Sequence, residues 1–91
     1  MVETLELDRL PEGRSAYVTE VHNEPSMRQR LADIGLIRGT RVTCLCRSPA
    51  GDPAAYLIRG AVIALRRNDA CRIQVELAAA PIPAAAAEAP A

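Results

Sequence analysis

Turn-forming residues cut most of this chain into short segments, and that constrains its fold more than any other feature. Pro11-Glu12-Gly13, Asn23-Glu24-Pro25 and the double-proline loop 48–53 all have the composition of turns. The intervening segments are rich in β-branched residues, which is typical of strands. Because closing a sheet protects its edges, this pattern predicts an all-β, partly open barrel of about five strands. The predicted strands are 14–22, 40–47, 54–59, 61–66 and 71–77.

One segment has helical rather than strand spacing. Met27, Leu31 and Ile34 recur at i, i+4 and i+7 and form a single apolar stripe, which predicts a helix over residues 26–35. A helix this short needs tertiary packing to persist, so its stripe should cover an open end of the barrel. A further helical turn is expected at about 67–70.

The ends of this helix are also marked. Ser26 and Gln29 have the spacing of a capping box, in which each side chain would satisfy a backbone amide at the start of the helix. Gly35 suits the left-handed residue that ends many helices, and Leu36 would then pack back on Leu31. Residues 37–40 follow as a type II turn, with Gly39 supplying the positive φ.

Composition limits the classes of function. The 91 residues allow one small domain, predicted as 1–77, followed by an Ala/Pro-rich disordered tail at 78–91. The formal net charge is zero, and the chain has two Tyr, no Trp and no Phe. Without a net positive field or aromatic platforms, nucleic-acid binding is not expected. The charge is uneven: residues 1–24 carry six acids and two arginines, whereas residues 25–77 carry nine arginines and four acids.

The sequence points to the cytoplasm. It begins Met1-Val2-Glu3, acidic rather than basic and then apolar, and no stretch is apolar enough for a membrane span. In the cytosol its three cysteines would remain reduced thiols.

Four residues form the candidate metal site. Strand alternation would place Cys44 and Cys46 on one face, and with Cys71 and His22 they would make a Cys₃His set suited to Zn²⁺. The alternative, which we favour, is that these are core or incidental thiols, with Cys44 the most buried. We expect no catalytic residues, no resident cofactor and no enzyme activity, and a transition-metal ion stays a secondary possibility.

Several motifs occur together in a recognisable order. They are residues 28–40 (RQRLADIGLIRGT), 49–53 (PAGDP), Arg59-Gly60, Ala64-Leu65-Arg66, Ala70, and Ile73 with Val75. Over about residues 5–77 this set resembles the FeoA family. The resemblance implies an SH3-like β-barrel with an inserted helix. It also implies a cytosolic accessory protein of ferrous-iron transport, partnered by the FeoB transporter, a membrane protein with a cytosolic GTPase domain.

The resemblance leaves a second function open. The same domain occurs at the C-terminus of DtxR-type iron-dependent repressors, so the alternative is a metal-sensing or regulatory module. Two features depart from the family pattern. Arg38 stands where proline is common before the glycine, and the cysteines are not a family signature.

Either function would act through protein–protein contact, so a docking surface is expected. Apolar residues on the helix and at its exit, and the rigid loop 48–53, are the candidates, although core packing is the alternative for the apolar ones. The predicted partner-binding residues are Met27, Leu31, Leu36, Ile37 and Asp52.

Overall fold

A computed structural model describes residues 3–78 of the chain. Its six antiparallel strands are β1 (Thr4–Glu6), β2 (Ser15–Val21), β3 (Arg41–Arg47), β4 (Ala54–Ile58), β5 (Ala61–Leu65) and β6 (Ile73–Leu77). Two helices, α1 (Pro25–Asp33) and α2 (Arg67–Ala70), and a 3₁₀ turn (Leu7–Arg9) complete the fold. The all-β prediction with one inserted helix and a short helical turn is confirmed.

The strands form one sheet in the order β1-β6-β2-β3-β4-β5. The sixth strand is β1, which sequence reasoning did not identify because three residues are too few to show alternation. It pairs with β6 through Leu5 and Val75. The sheet curls around the core, and among residues 3–78 its terminal strands β1 and β5 each pair on one side only.

The core is aliphatic apart from Tyr56 and Cys44, as expected for a chain without Phe or Trp. Alternate residues of β2, β3, β4 and β6 point inward, and α1 and the 3₁₀ turn add leucines from one side. The largest fully buried side chains are Tyr56, Leu7, Leu10, Leu31, Leu36, Ile58, Ile73, Val18, Val42, Val75 and Cys44. Fully burying one such side chain stabilises the fold by about 1.5–3 kcal/mol, so the core holds the barrel together without disulfides.

Two β-bulges break the alternation that the sequence predicts. The register of β2 with β6 shifts between Val18 and Glu20, so Glu20 is exposed and Val21 packs against the core. An extra residue in one strand reverses the facing of everything beyond it. The register of β3 with β4 shifts in the same way between Cys44 and Cys46.

Helix α1 starts one residue earlier than predicted. Its N-cap is Glu24, and Pro25 occupies the first turn, where its fixed φ favours a helix start. The predicted capping box is therefore wrong. The Ser26 hydroxyl donates to Glu24 Oε1 (3.3 Å), and the Gln29 amide donates to Asp33 Oδ1 (3.0 Å).

The other end of α1 is as predicted. Gly35 has φ +92°, its amide donates to the Ala32 carbonyl (2.9 Å), and the Leu36 amide donates to the Leu31 carbonyl (2.8 Å). This pair of bonds defines the Schellman motif. Leu31 and Leu36 are both buried, which completes its apolar contact.

The structural description of the chain ends at Ala78, whose amide donates to the Ser15 carbonyl (3.0 Å). The rest of the predicted tail, 79–91, lies outside the described residues. Within residues 3–78 no helix has the length and apolar character needed to span a membrane.

Candidate functional site

A groove with a volume of about 420 Å³ runs between α1 and β2; we call it the α1–β2 groove. Its lining is partly apolar, and Ile37, 48% exposed, stands at its edge. The lining residues are Thr19, Glu20, Val21, His22, Arg28, Ala32, Leu36, Ile37 and Arg38.

The helix exit is fixed to β2 by backbone hydrogen bonds. The predicted type II turn is present, with Gly39 at φ +90° and the Thr40 amide donating to the Ile37 carbonyl (3.0 Å). The Gly39 amide donates to the Val18 carbonyl (2.7 Å), and the Val18 amide donates to the Thr40 carbonyl (2.9 Å). The turn is thereby held beside β2, and the groove lies between them.

The Thr40 side chain ties the helix exit to the turn. Its buried hydroxyl donates to the Gly35 carbonyl (2.8 Å) and accepts from the Ile37 amide (3.2 Å). These bonds fix the backbone on both sides of Ile37. The side chain of Ile37 consequently stays at the surface while Leu36, its neighbour, turns into the core.

Charges of both signs surround the apolar part of the groove. On the β2 side, His22 Nε2 lies 2.9 Å from Glu20 Oε1. On the α1 side lie the exposed arginines Arg28 and Arg38. An exposed apolar centre with a polar rim is the usual composition of a protein-binding surface.

The structure places the predicted partner-binding residues in different environments. Leu31 and Leu36 are buried among the core residues, although Leu36 also lines the groove, so neither offers the exposed side chain expected of a contact residue. Met27 is half-buried against the core and lines a different depression, at the start of α1. Ile37 alone of the apolar candidates is exposed at the surface.

Asp52 is exposed and has a partner within the chain. Its Oδ1 accepts a hydrogen bond from the Arg67 amide (2.8 Å), the first residue of α2. This contact ties the β3–β4 loop to α2 and satisfies one of the free amides at the helix start.

The candidate metal ligands do not come together. Cys44 is buried, and burial raises the pKa of its thiol. Cys46 is exposed because the β3 bulge moves it off the Cys44 face. Exposed Cys71 Sγ donates to the Asn68 carbonyl (3.3 Å), and His22 pairs with Glu20. Within residues 3–78 no three His, Cys, Asp or Glu side chains are placed to share a metal ion.

Sequence reasoning missed two residues that shape the site. Thr40 was placed only by its backbone, as the last residue of the turn and the first of a strand, although a threonine directly after the turn glycine is well placed to bond back to the turn through its side chain. Val21 was not singled out, and only the bulge, which leaves no signal in the sequence, brings it to the groove.

Comparison with known proteins identifies the fold and the family. A family model described as the FeoA domain matches residues 5–77. The chain belongs to the FeoA family. The solution structure of FeoA from Chlorobium tepidum is similar, with 38% identity and a TM-score of 0.80 over 86% of this chain and 74% of that one.

Two further relatives bear on function. This chain is 33% identical over 73 residues to the Fe(2+) transport protein A/Fe(2+) transporter FeoB fusion protein of Porphyromonas gingivalis, covering 80% of this chain but only 9% of that protein. It is 29% identical to zinc-complexed FeoA of Stenotrophomonas maltophilia, with a TM-score of 0.68 over 78% of this chain and 88% of that one. That protein is described as an SH3 domain protein possibly acting as a ferrous iron transport activating factor. The SH3-like fold therefore holds for this domain.

Proposed function

We propose that the protein is a non-enzymatic, cytoplasmic accessory protein of ferrous-iron transport that acts by direct contact with a FeoB-type transporter. The observation that carries the proposal is the Porphyromonas gingivalis relative, which is named as a fusion of Fe(2+) transport protein A with the Fe(2+) transporter FeoB. Fusion of two modules keeps each at a high effective concentration near the other, commonly in the millimolar range.

The α1–β2 groove is the docking surface we assign to this contact. It offers an exposed isoleucine between charged residues of both signs, and hydrogen bonds to β2 already fix its shape. Docking alters transport or GTP hydrolysis only if the domain binds one transporter conformation more tightly than another. Ile37 is therefore expected to contribute affinity, and Arg28 and Arg38 to orient the partner.

The direct test measures binding of this chain to the intact transporter in lipid nanodiscs, and to its cytosolic GTPase domain, at low salt. Ile37→Asp should weaken binding at least tenfold, because it places a charge on the exposed apolar surface at the edge of the groove. Leu45→Asp is the matched control: Leu45 is similarly exposed, at 40%, and lies outside the groove. No association at about 100 μM, or equal losses for the two variants, would contradict the proposal.

The alternative function is a metal-sensing module, and it predicts a different result. Stoichiometric binding of Fe²⁺ or Zn²⁺ to the isolated chain, lost on Cys46→Ser or Cys71→Ser, would favour it. The dispersed thiols favour the accessory role, because an exposed thiol on β3 and another beside α2 do not share a coordination sphere.

A further inference from the structure

We propose that the outer edge of β5 is a second binding site, which accepts an extended peptide strand with an apolar centre and acidic ends. The site is the unpaired edge of β5 together with the neighbouring outer faces of β3 and β4. It is separate from the α1–β2 groove, and the proposal does not depend on contact with an iron transporter.

The first argument is the backbone. β5 pairs with β4, and no other strand within residues 3–78 pairs with it. Arg59 and Gly60 form a two-residue hairpin turn closed by Ile58 and Ala61, so the pairs Ile58–Ala61 and Tyr56–Ile63 exchange hydrogen bonds. The amides and carbonyls of Val62 and Ala64, which alternate with these, point away from β4. The edge therefore presents two donors and two acceptors in the spacing of a strand.

The second argument is that β5 lacks the usual protection of an edge strand. Natural edges are commonly blocked by charged residues or proline. β5 has neither: its five residues are Ala, Val, Ile, Ala and Leu. Val62 is 64% exposed and lies directly opposite the exposed Leu57 of β4, which lies opposite Thr43 of β3. An incoming strand would place a side chain beside Val62 and extend this row.

The third argument is charge, which selects the occupant. A depression of about 740 Å³ adjoins the hairpin on the outer face of β3 and β4, and Arg41 and Arg59 line it without any carboxylate. Exposed Arg66 follows the other end of β5. Between residues 40 and 68 the only acidic residue is Asp52, which already accepts a hydrogen bond from the Arg67 amide.

These cations favour a partner strand over a second copy of this chain. Antiparallel pairing of two β5 edges would place the Arg66 end of one copy beside the Arg59 end of the other, with no carboxylate between them. An extended segment with a carboxylate at each end meets opposite charges at both ends of β5 instead. Main-chain hydrogen bonds would supply affinity, and the arginines would supply selectivity.

The test uses a capped peptide of about seven residues, alternating valine and threonine, with a glutamate at each end. Backbone NMR and amide hydrogen exchange are recorded on the full chain. The free protein should show fast exchange at the Val62 and Ala64 amides, and the peptide should bind saturably and protect both. The same peptide with lysine ends should bind at least tenfold more weakly.

Two variants locate the site. Ala64→Pro removes an outward-pointing amide, and Ala64→Glu places on the exposed face a charge that repels the glutamate ends; both should weaken binding at least tenfold. Arg66→Glu should reduce the preference for glutamate ends. Ile37→Asp serves as the control and should bind the peptide normally, which separates this site from the α1–β2 groove.

Three results would overturn the proposal. One is slow exchange at Val62 and Ala64 in the free chain, which would mean that the C-terminal residues or a second copy already occupies the edge. The second is the absence of saturable binding up to about 1 mM. The third is equal affinity for the two peptides, or full affinity in both Ala64 variants.

Discussion

The side chain of Arg59 lies across Gly35, so closely that a Cβ added to Gly35 would be 2.1 Å from Arg59 Cδ. The contact joins the end of α1 to the β4–β5 hairpin, two elements far apart in sequence. Gly35 is thus required twice, once for its left-handed backbone and once for the space above it.

Replacing Gly35 should show the cost of losing both its left-handed backbone and the space above it. Gly35→Ala should destabilise the fold by more than Gly39→Ala, which has a similar φ and no atom within 4 Å of the added Cβ. The left-handed backbone alone costs about 1–2 kcal/mol, and Gly39→Ala measures that cost. Arg59→Ala in the Gly35→Ala background should recover the excess. Chemical denaturation measures all four chains, and equal losses at the two glycines would show that Arg59 yields without cost.

Thr40→Val should damage the groove more than the fold. The change removes the hydroxyl that bonds Gly35 and Ile37, at a cost of about 1 kcal/mol in stability. Because these bonds hold Ile37 at the surface, amide exchange at residues 36–39 should also rise. Thr43→Val is the control, since it removes a comparable hydroxyl bond to Ser15 (2.7 Å) away from the turn. Unchanged exchange in Thr40→Val would show that the backbone bonds suffice.

Asp52→Ala should destabilise the protein by about 1 kcal/mol, the usual cost of losing a side chain that caps a helix amide. Asp52→Asn, which keeps an acceptor oxygen, should lose less. Thermal denaturation separates the two. If Asp52→Ala leaves the melting temperature unchanged but lowers binding to the transporter, Asp52 is a contact residue rather than a structural one.

Stability should fall at alkaline pH because of Tyr56. Burial raises the pKa of its phenol to about 12 from 10.0, and the hydroxyl donates to the Leu7 carbonyl (3.4 Å). The unfolded chain releases this proton at lower pH, so the stabilisation is complete below about pH 10 and is lost as pH rises towards 12. The two-unit shift corresponds to roughly 2–3 kcal/mol.

Denaturation at about pH 9 and about pH 11.5 measures the effect. Tyr56→Phe should flatten this dependence, whereas Tyr17→Phe, at an exposed site, should leave it intact. A pH dependence that survives Tyr56→Phe would assign the alkaline loss to other groups, among them the Cys44 thiol, whose pKa burial also raises.

The three thiols should differ in reactivity. Cys46 and Cys71 are exposed and should react with iodoacetamide in the native protein. Cys44 is buried with a raised pKa and should react only after unfolding. Peptide mass mapping with and without denaturant counts the labels. Native labelling of Cys44 would show that β3 opens locally.

Most of the fold was predictable because its signals are local. Gly35 and Gly39 marked a helix end and a turn, and Cys44 was expected to be the most buried thiol, all without knowledge of the rest of the chain. The start of α1 was misplaced because two local signals competed: the spacing of Ser26 and Gln29, and the proline at residue 25, which prevailed.

The predictions fail where the local structure depends on contacts between distant parts of the chain. The bulges after Val18 and Cys44 depend on how β2 and β3 match their neighbouring strands, and no single segment encodes that match. For the same reason Leu31 and Ile37 could not be separated by hydrophobicity: one meets the barrel and the other meets solvent. The sequence indicated the region of the proposed partner site, but only the packing of the folded chain shows which of its residues are exposed.

The two hydrogen bonds between Val18 and the turn at Gly39 and Thr40 also affect how binding at the groove would proceed. The conformational entropy of this segment is already lost when the chain folds, so a partner does not have to order it again. Association should then proceed in one step, with a rate set by diffusion and charge, and with little change in the backbone order parameters of residues 36–40.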